Sequence, residues 1–210
     1  MAKIGVIGAN GKAGTNIVKE AASRGHEVTA IVRDASKAPA EAGNVLAKGL
    51  FDLTAADLKA FDVVVNAVGF FEKPELNVTG GKHLIDILGG SDTRLIVVGG
   101  AGSLYVDPEE KVQLFTTPGF PEMFRPLATS QGQNLADLQA SRGVKWTFVS
   151  PSAEFALGRR TGSYQKGKNR LLVNSKGDSY VSYEDYAIAI VDEIEKAEHV
   201  NERFTVVSER

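Results

Sequence analysis

The residues best suited to chemistry open the chain. Gly8-Ala9-Asn10-Gly11-Lys12-Ala13-Gly14 places three glycines at GxxGxxG spacing. Glycine is needed where a Cβ would block a tight turn, a phosphate or the packing of a helix on a strand. Free N–H groups and the positive end of a helix then hold an anion. Gly8, Asn10, Gly11, Lys12, Ala13 and Gly14 are therefore expected to hold the pyrophosphate of a dinucleotide. A glycine pattern alone is weak evidence, and a plain strand-to-helix turn is the bland alternative. What strengthens it is its setting between an apolar run and a helical pattern.

The choice of coenzyme falls at the end of the next strand. An acidic residue there holds the ribose 2′-OH of NAD, whereas an arginine accommodates the 2′-phosphate of NADP. This chain offers Arg33 followed by Asp34, with Lys37 further along the same loop. A guanidinium suits a phosphate, so NADP(H) is favoured over NAD(H); the alternative is an ion pair between Arg33 and Asp34. Further contacts are expected where later strands end. Asp52 and Leu53 would flank the adenine. Ala67, Val68 and Gly69 would run past the ribose and pyrophosphate. Gly99 to Ser103 and Ser150-Pro151-Ser152 would reach the nicotinamide. Ser103 is the candidate for orienting the carboxamide or bonding a substrate carbonyl, the alternative being a serine that satisfies turn backbone.

Positioning these groups requires alternating strands and helices. Residues 3–7 are apolar; Ala13, Ile17, Val18, Ala21 and Ala22 share a helical face; and 27–32 is rich in β-branched residues. That is a βαβ unit with parallel strands. The pattern continues with strands at 44–48, 62–68, 94–100 and 145–150 and helices at 54–60, 76–89 and 127–142. The fold expected is α/β, a doubly wound parallel sheet with helices on both faces. Residues 151–182 are read as a small irregular substrate-side insertion with one or two short strands. A helix over 183–198 and a strand over 204–208 follow. No linker divides the chain, so 1–210 is read as one domain.

Composition narrows the function classes. The 210 residues carry 24 basic and 26 acidic side chains without long blocks of either sign, which argues against nucleic-acid binding and a polybasic membrane anchor. There is no cysteine, and the three histidines are far apart; no metal site is expected. No leader or apolar span is evident, and a cytoplasmic location is expected.

The chain resembles the atypical short-chain dehydrogenase/reductases, in particular the NADH-flavin reductases, with biliverdin-IXβ reductase and NmrA-like proteins as relatives. The likeness runs through IGVIGANGKAG (4–14), VRDASK (32–37), DVVVNAVG (62–69), VVGGAGSL (97–104), TFVSPSAEF (147–155), RTGSY (160–164) and SYEDYAIAIVDEIE (182–195). It implies NADP(H) binding, with Arg33 and Lys37 near the 2′-phosphate and Ser103 near the nicotinamide. Typical members of the wider superfamily pair Tyr and Lys at i and i+4 on a helix as a proton relay. The literal match here, Tyr164 to Lys168, has Gly162 and Gly167 around it and is not expected to be helical. Residues 124–128, ahead of the sixth strand, contain neither Tyr nor Lys.

Hydride transfer to a flavin avoids the need for a relay. The expected activity is NADPH-dependent reduction of flavins or similar flat acceptors, with flavin as a passing substrate. The main rival is an NADP(H)-binding redox sensor of NmrA-like type; an epimerase or dehydratase is a third reading, weakened by the small C-terminal region and the missing proton relay. Phe70, Phe71, Phe115, Phe120, Met123 and Phe124 either cover the acceptor or pin the loop 104–126. Glu154 is read chiefly as a surface charge. The protein is expected to be a monomer or homodimer.

Overall fold

Period-two alternation of apolar residues in the central strands builds two cores, one on each face of a sheet. A computed structural model describes all 210 residues. In chain order the elements are β1 (Lys3–Ile7), α1 (Lys12–Ser23), β2 (Glu27–Val32), β3 (Asn44–Ala47), α2 (Ala55–Leu58), β4 (Val63–Asn66) and α3 (Glu75–Leu88). Then come β5 (Arg94–Val98), α4 (Arg125–Ala140), β6 (Trp146–Ser150), β7 (Glu154–Ala156), β8 (Gln165–Gly167), β9 (Tyr180–Ser182), α5 (Tyr183–Lys196) and β10 (Glu202–Val207).

The main sheet has the order β3-β2-β1-β4-β5-β6-β10-β8. All its pairings are parallel except β10 with β8. The expected doubly wound α/β sheet is therefore present. Ile4, Val6, Val65, Val149 and Phe204 face α1 and α5. Ile7, Val64, Leu95, Phe148 and Trp146 face α3 and α4. Strand order reverses beside β1, so a crevice opens between the carboxyl ends of β1 and β4, the ligand position of this architecture.

Two expectations change in detail. The region after Pro151 holds three short strands rather than one or two, and β8 joins the main sheet as its antiparallel edge while β7 pairs with β9. Three-residue strands set by tertiary pairing leave no periodic signal to read. Helix α4 starts at Arg125 instead of residue 127, with Pro126 in its first turn, where a missing N–H removes no helical hydrogen bond.

Residues 160–164 are tied down by the helices behind them. Arg160 donates to both carboxylate oxygens of Glu20 on α1, at 2.9 Å each. The backbone N–H groups of Thr161 and Gly162 and the Thr161 hydroxyl donate to Asp185 in the first turn of α5, at 2.8, 3.0 and 2.6 Å. Tyr164 donates to Asp192 at 2.7 Å. The RTGSY stretch is thus a clip that holds the insertion against α1 and α5.

Candidate coenzyme site

The turn after β1 has no room for side chains at two of its glycines, Gly8 and Gly14. Gly8 has φ +76°, and a Cβ there would stand 2.8 Å from Val68 Cγ2. A Cβ on Gly14 would stand 2.2 Å from the carbonyl oxygen of Gly8, which itself accepts from Gly11 N–H at 3.0 Å. Helix α1 begins beyond Gly11 with no side-chain cap and no acidic residue in its first turn. Its first internal bond runs from Thr15 N–H to Gly11 C=O, 2.8 Å. The N–H groups of Lys12, Ala13 and Gly14 are left without a backbone acceptor, as the first turn of a helix dictates. Asn10, Gly11 and Lys12 are exposed around them.

At the end of β2, Asp34 does not pair with Arg33. Its carboxylate caps the next turn, accepting from Ser36 N–H at 3.0 Å and Ser36 Oγ at 2.7 Å. These bonds hold its pKa below the usual aspartate value. Arg33 is exposed and forms no ion pair; nor do Lys37 and Lys12. The stem of Arg33 passes the Gly49 turn, and Asp52 accepts from Gly49 N–H at 3.3 Å, so Arg33 and Asp52 border the same corner. This geometry fits the residues to a coenzyme: a turn too tight for a Cβ at Gly8 and Gly14, three free amides and three unpaired cations. No helix is long and apolar enough to cross a membrane.

The remaining expected contacts divide. Ala67, Val68 and Gly69 wall the turn, with Ala67 N–H bonded to Ile7 C=O at 2.9 Å and Val68 N–H to Asn66 Oδ1 at 3.2 Å. Leu53 is 1% exposed and its side chain belongs to the α3/α4 core, because residues 50–52 form a short 3-10 turn that drives the following residue inward. Its side chain is closed to an adenine. Ser150 is buried with an unpartnered hydroxyl, and Pro151 is buried beside it. The Ser152 hydroxyl donates to Val206 C=O at 2.8 Å and so joins the strand end to β10.

Ser103 also departs from expectation. It is buried, and its hydroxyl and carbonyl oxygens accept from Arg203 Nη1 at 2.9 and 3.0 Å. The physical reason is Arg203 itself, a buried guanidinium on β10 that draws in every nearby acceptor. Ser103 anchors a loop in this arrangement. Glu154 is an exposed carboxylate paired with Arg210.

No proton relay is assembled. Tyr164 precedes β8, a strand, so Lys168 does not share a face with it. Burial and the bond to Asp192 push the Tyr164 phenol up. The helix before β6 presents Leu127 and Ala128, and below them Gln131 and Asn134, which sequence reasoning did not single out. The available signal was their i, i+3 spacing on the helix that leads into β6. The aromatic loop is held mainly by its backbone: Tyr105 exchanges bonds with Asn169 and Leu171, both 2.9 Å. Phe71, Met123 and Phe124 remain exposed, while Phe70 lies 6.0 Å from Phe51, centroid to centroid.

Known proteins share this fold. Residues 8–197 match the NAD(P)H-binding family. The chain belongs to that family. It is 58% identical over 210 residues, 99% of both chains, to the uncharacterized protein YwnB of Bacillus subtilis. A crystal structure from Streptococcus pneumoniae, described as "a putative NADH-flavin reductase", is 44% identical over the whole of both chains with a TM-score of 0.95. Another from Bacteroides thetaiotaomicron, described as a "putative epimerase", is 33% identical over 99% of this chain and 97% of that one, with a TM-score of 0.85. This NAD(P)H-binding protein is thus built on the doubly wound sheet.

Proposed function

We propose that the protein is an NADPH-dependent reductase of flavins or similar flat redox acceptors. The observation that carries the coenzyme half is Arg33: an exposed guanidinium with no carboxylate partner at the end of β2, with Lys37 in the same loop. An aspartate at this point would favour the unphosphorylated ribose, but Asp34 is engaged with Ser36. Bound NADPH supplies the hydride. The chain's own residues supply grip and orientation. The free amides of Lys12, Ala13 and Gly14 hold the pyrophosphate, and Arg33 and Lys37 hold the 2′-phosphate.

The acceptor half rests on the S. pneumoniae relative's description and on the exposed apolar side chains Phe71, Met123 and Phe124, which suit a flat ring. The lack of a Tyr-Lys relay suits an acceptor that draws its proton from water.

The test is NADPH consumption followed at 340 nm with FMN, riboflavin or a quinone. Acceptor-dependent consumption supports the reading; tight NADPH binding without turnover on any of them would point to a sensor instead. Losing a charge-assisted phosphate contact costs about 1.5–3 kcal/mol. Arg33→Ala should therefore weaken NADPH about 10- to 100-fold while leaving NADH within about twofold. Equal losses for both coenzymes would remove the 2′-phosphate assignment.

A further inference from the structure

Two amide side chains on α4 are given space at the carboxyl ends of the sheet yet bond to nothing in the protein. Gln131 lies against Gly100, just past β5: a Cβ on Gly100 would stand 1.9 Å from Gln131 Oε1. Asn134, one turn further, lies against Gly81 of α3, where a Cβ would stand 2.2 Å from Asn134 Oδ1. Neither glycine has a positive φ. The backbone does not call for glycine at either place, and what glycine provides is room for an amide. Asn134 is 5% exposed and its Oδ1 is buried without a partner. An orphaned buried acceptor is a net cost to the fold, and a partner brought by a ligand or its water removes that cost.

Both amides line a cleft between α3 and α4 that also takes in Val68, Phe70 and Gly99, and no ionisable side chain lines it. Its enclosed part is about 10 Å³, at most one water. A ligand group therefore stays outside it, against the half-buried Gln131, with the buried Asn134 behind. The sheet order says which group that is. A dinucleotide spans the switch point with one mononucleotide half on each side. The GxxGxxG turn and Arg33 lie on the β1–β3 side, so the nicotinamide half falls on β4 to β6, over Gly99 and Gly100.

We propose that Gln131, supported by Asn134, is a positioning residue for the ribose on the nicotinamide side of the coenzyme. A neutral amide donates and accepts at once, and so does each hydroxyl of a ribose diol. The assignment rests on the coenzyme reading above and extends it to residues outside the glycine turn.

The test compares three ligands of increasing length by calorimetry: 2′,5′-ADP, which lacks the distal ribose; 2′-phospho-ADP-ribose, which has it without nicotinamide; and NADPH. In Gln131→Met, close in shape but without the amide, 2′,5′-ADP should bind as to wild type. The two longer ligands should each weaken about tenfold. Gln131→Glu, which loses the donor and keeps the acceptors, should show the same selectivity and covers the case that the methionine variant misfolds. Unchanged affinity for the longer ligands in a variant that still binds 2′,5′-ADP overturns the assignment. A loss confined to NADPH overturns it too, because the contact would then be with the carboxamide. Failure of 2′,5′-ADP to bind wild type would instead sink the coenzyme reading itself.

Discussion

Arg203 is a buried cation, 7% exposed, with no carboxylate against it. Its acceptors are all neutral: the carbonyl and hydroxyl of Ser103, and Asn169 Oδ1, which takes both Nε and Nη2 at 3.2 Å. Burial pulls its pKa down, opposed by Tyr105 and Glu110 nearby, yet an arginine stays charged. A charge in this setting depends on every hydrogen bond it makes. Ser103→Ala removes one acceptor and keeps the carbonyl. The expected cost is about 1–3 kcal/mol, or a Tm lower by roughly 2–12 °C for a chain of this size. Turnover should stay within about threefold of wild type. Thermal melts and NADPH-oxidation rates on the same preparation decide it. An unchanged Tm with turnover largely lost would return Ser103 to the reacting end.

At the scale of elements, the insertion after Pro151 owes its place to the clip more than to its own strands. Asp185 is fully buried and receives three bonds from Thr161 and Gly162 while capping nothing else outside α5. Asp185→Ala strands those three donors at the start of the helix. The expected loss is about 2–4 kcal/mol, a Tm drop of roughly 5–15 °C, with faster proteolysis at 158–168. Asp185→Asn, which keeps one acceptor oxygen for the two amides, should lose much less. Similar Tm values for wild type and the alanine variant would mean that the clip does not hold the insertion. The clip also explains what could be read in advance. Strands such as Val63–Asn66 and helices such as Tyr183–Lys196 declare themselves through local apolar patterns. By contrast, β8 is set by its antiparallel pairing with β10 and by Tyr164 just before it and Lys166 within it, held by Asp192 and Glu198 on and beyond α5. Partners 28 and 32 residues away leave no local trace.

For the molecule as a whole, the same distinction separates the two halves of the site. The glycine turn is legible because one contiguous stretch, Gly8 to Gly14, contains turn and helix start. The surroundings of Ser103 and Leu53 are not, because Arg203 and the α3/α4 core come from distant elements. Long-range charge contacts also set how the fold responds to pH. Eight carboxyls, among them Glu20, Asp57 and Asp192, sit below their ordinary values. Burial raises Glu20 and Asp192, but hydrogen bonds from Arg160 and Arg24 outweigh it for Glu20, as those from Arg24 and Tyr164 do for Asp192. Lys48 and Thr54 hold Asp57 at about 2. A lowered folded pKa means the unfolded chain binds more protons on the acid side. Stability is then complete above the unfolded values of 3.8 and 4.5 and falls as pH drops through the folded ones. On the alkaline side the phenols of Tyr164, Tyr183 and Tyr186 are pushed up from 10.0 by burial. The folded state there holds protons that the unfolded chain releases, so stability falls again above about 10. The expected profile of Tm against pH is a plateau between about 5 and 10 with a decline on each side. Tyr164→Phe should flatten the alkaline limb, and Glu20→Gln should make the acid limb shallower. Melts across this range check both, at low salt, because four of the eight carboxyls are exposed and screening weakens them. An acid limb as steep in Glu20→Gln as in wild type would show that the clip's arginines do not couple the α1 carboxylate to folding.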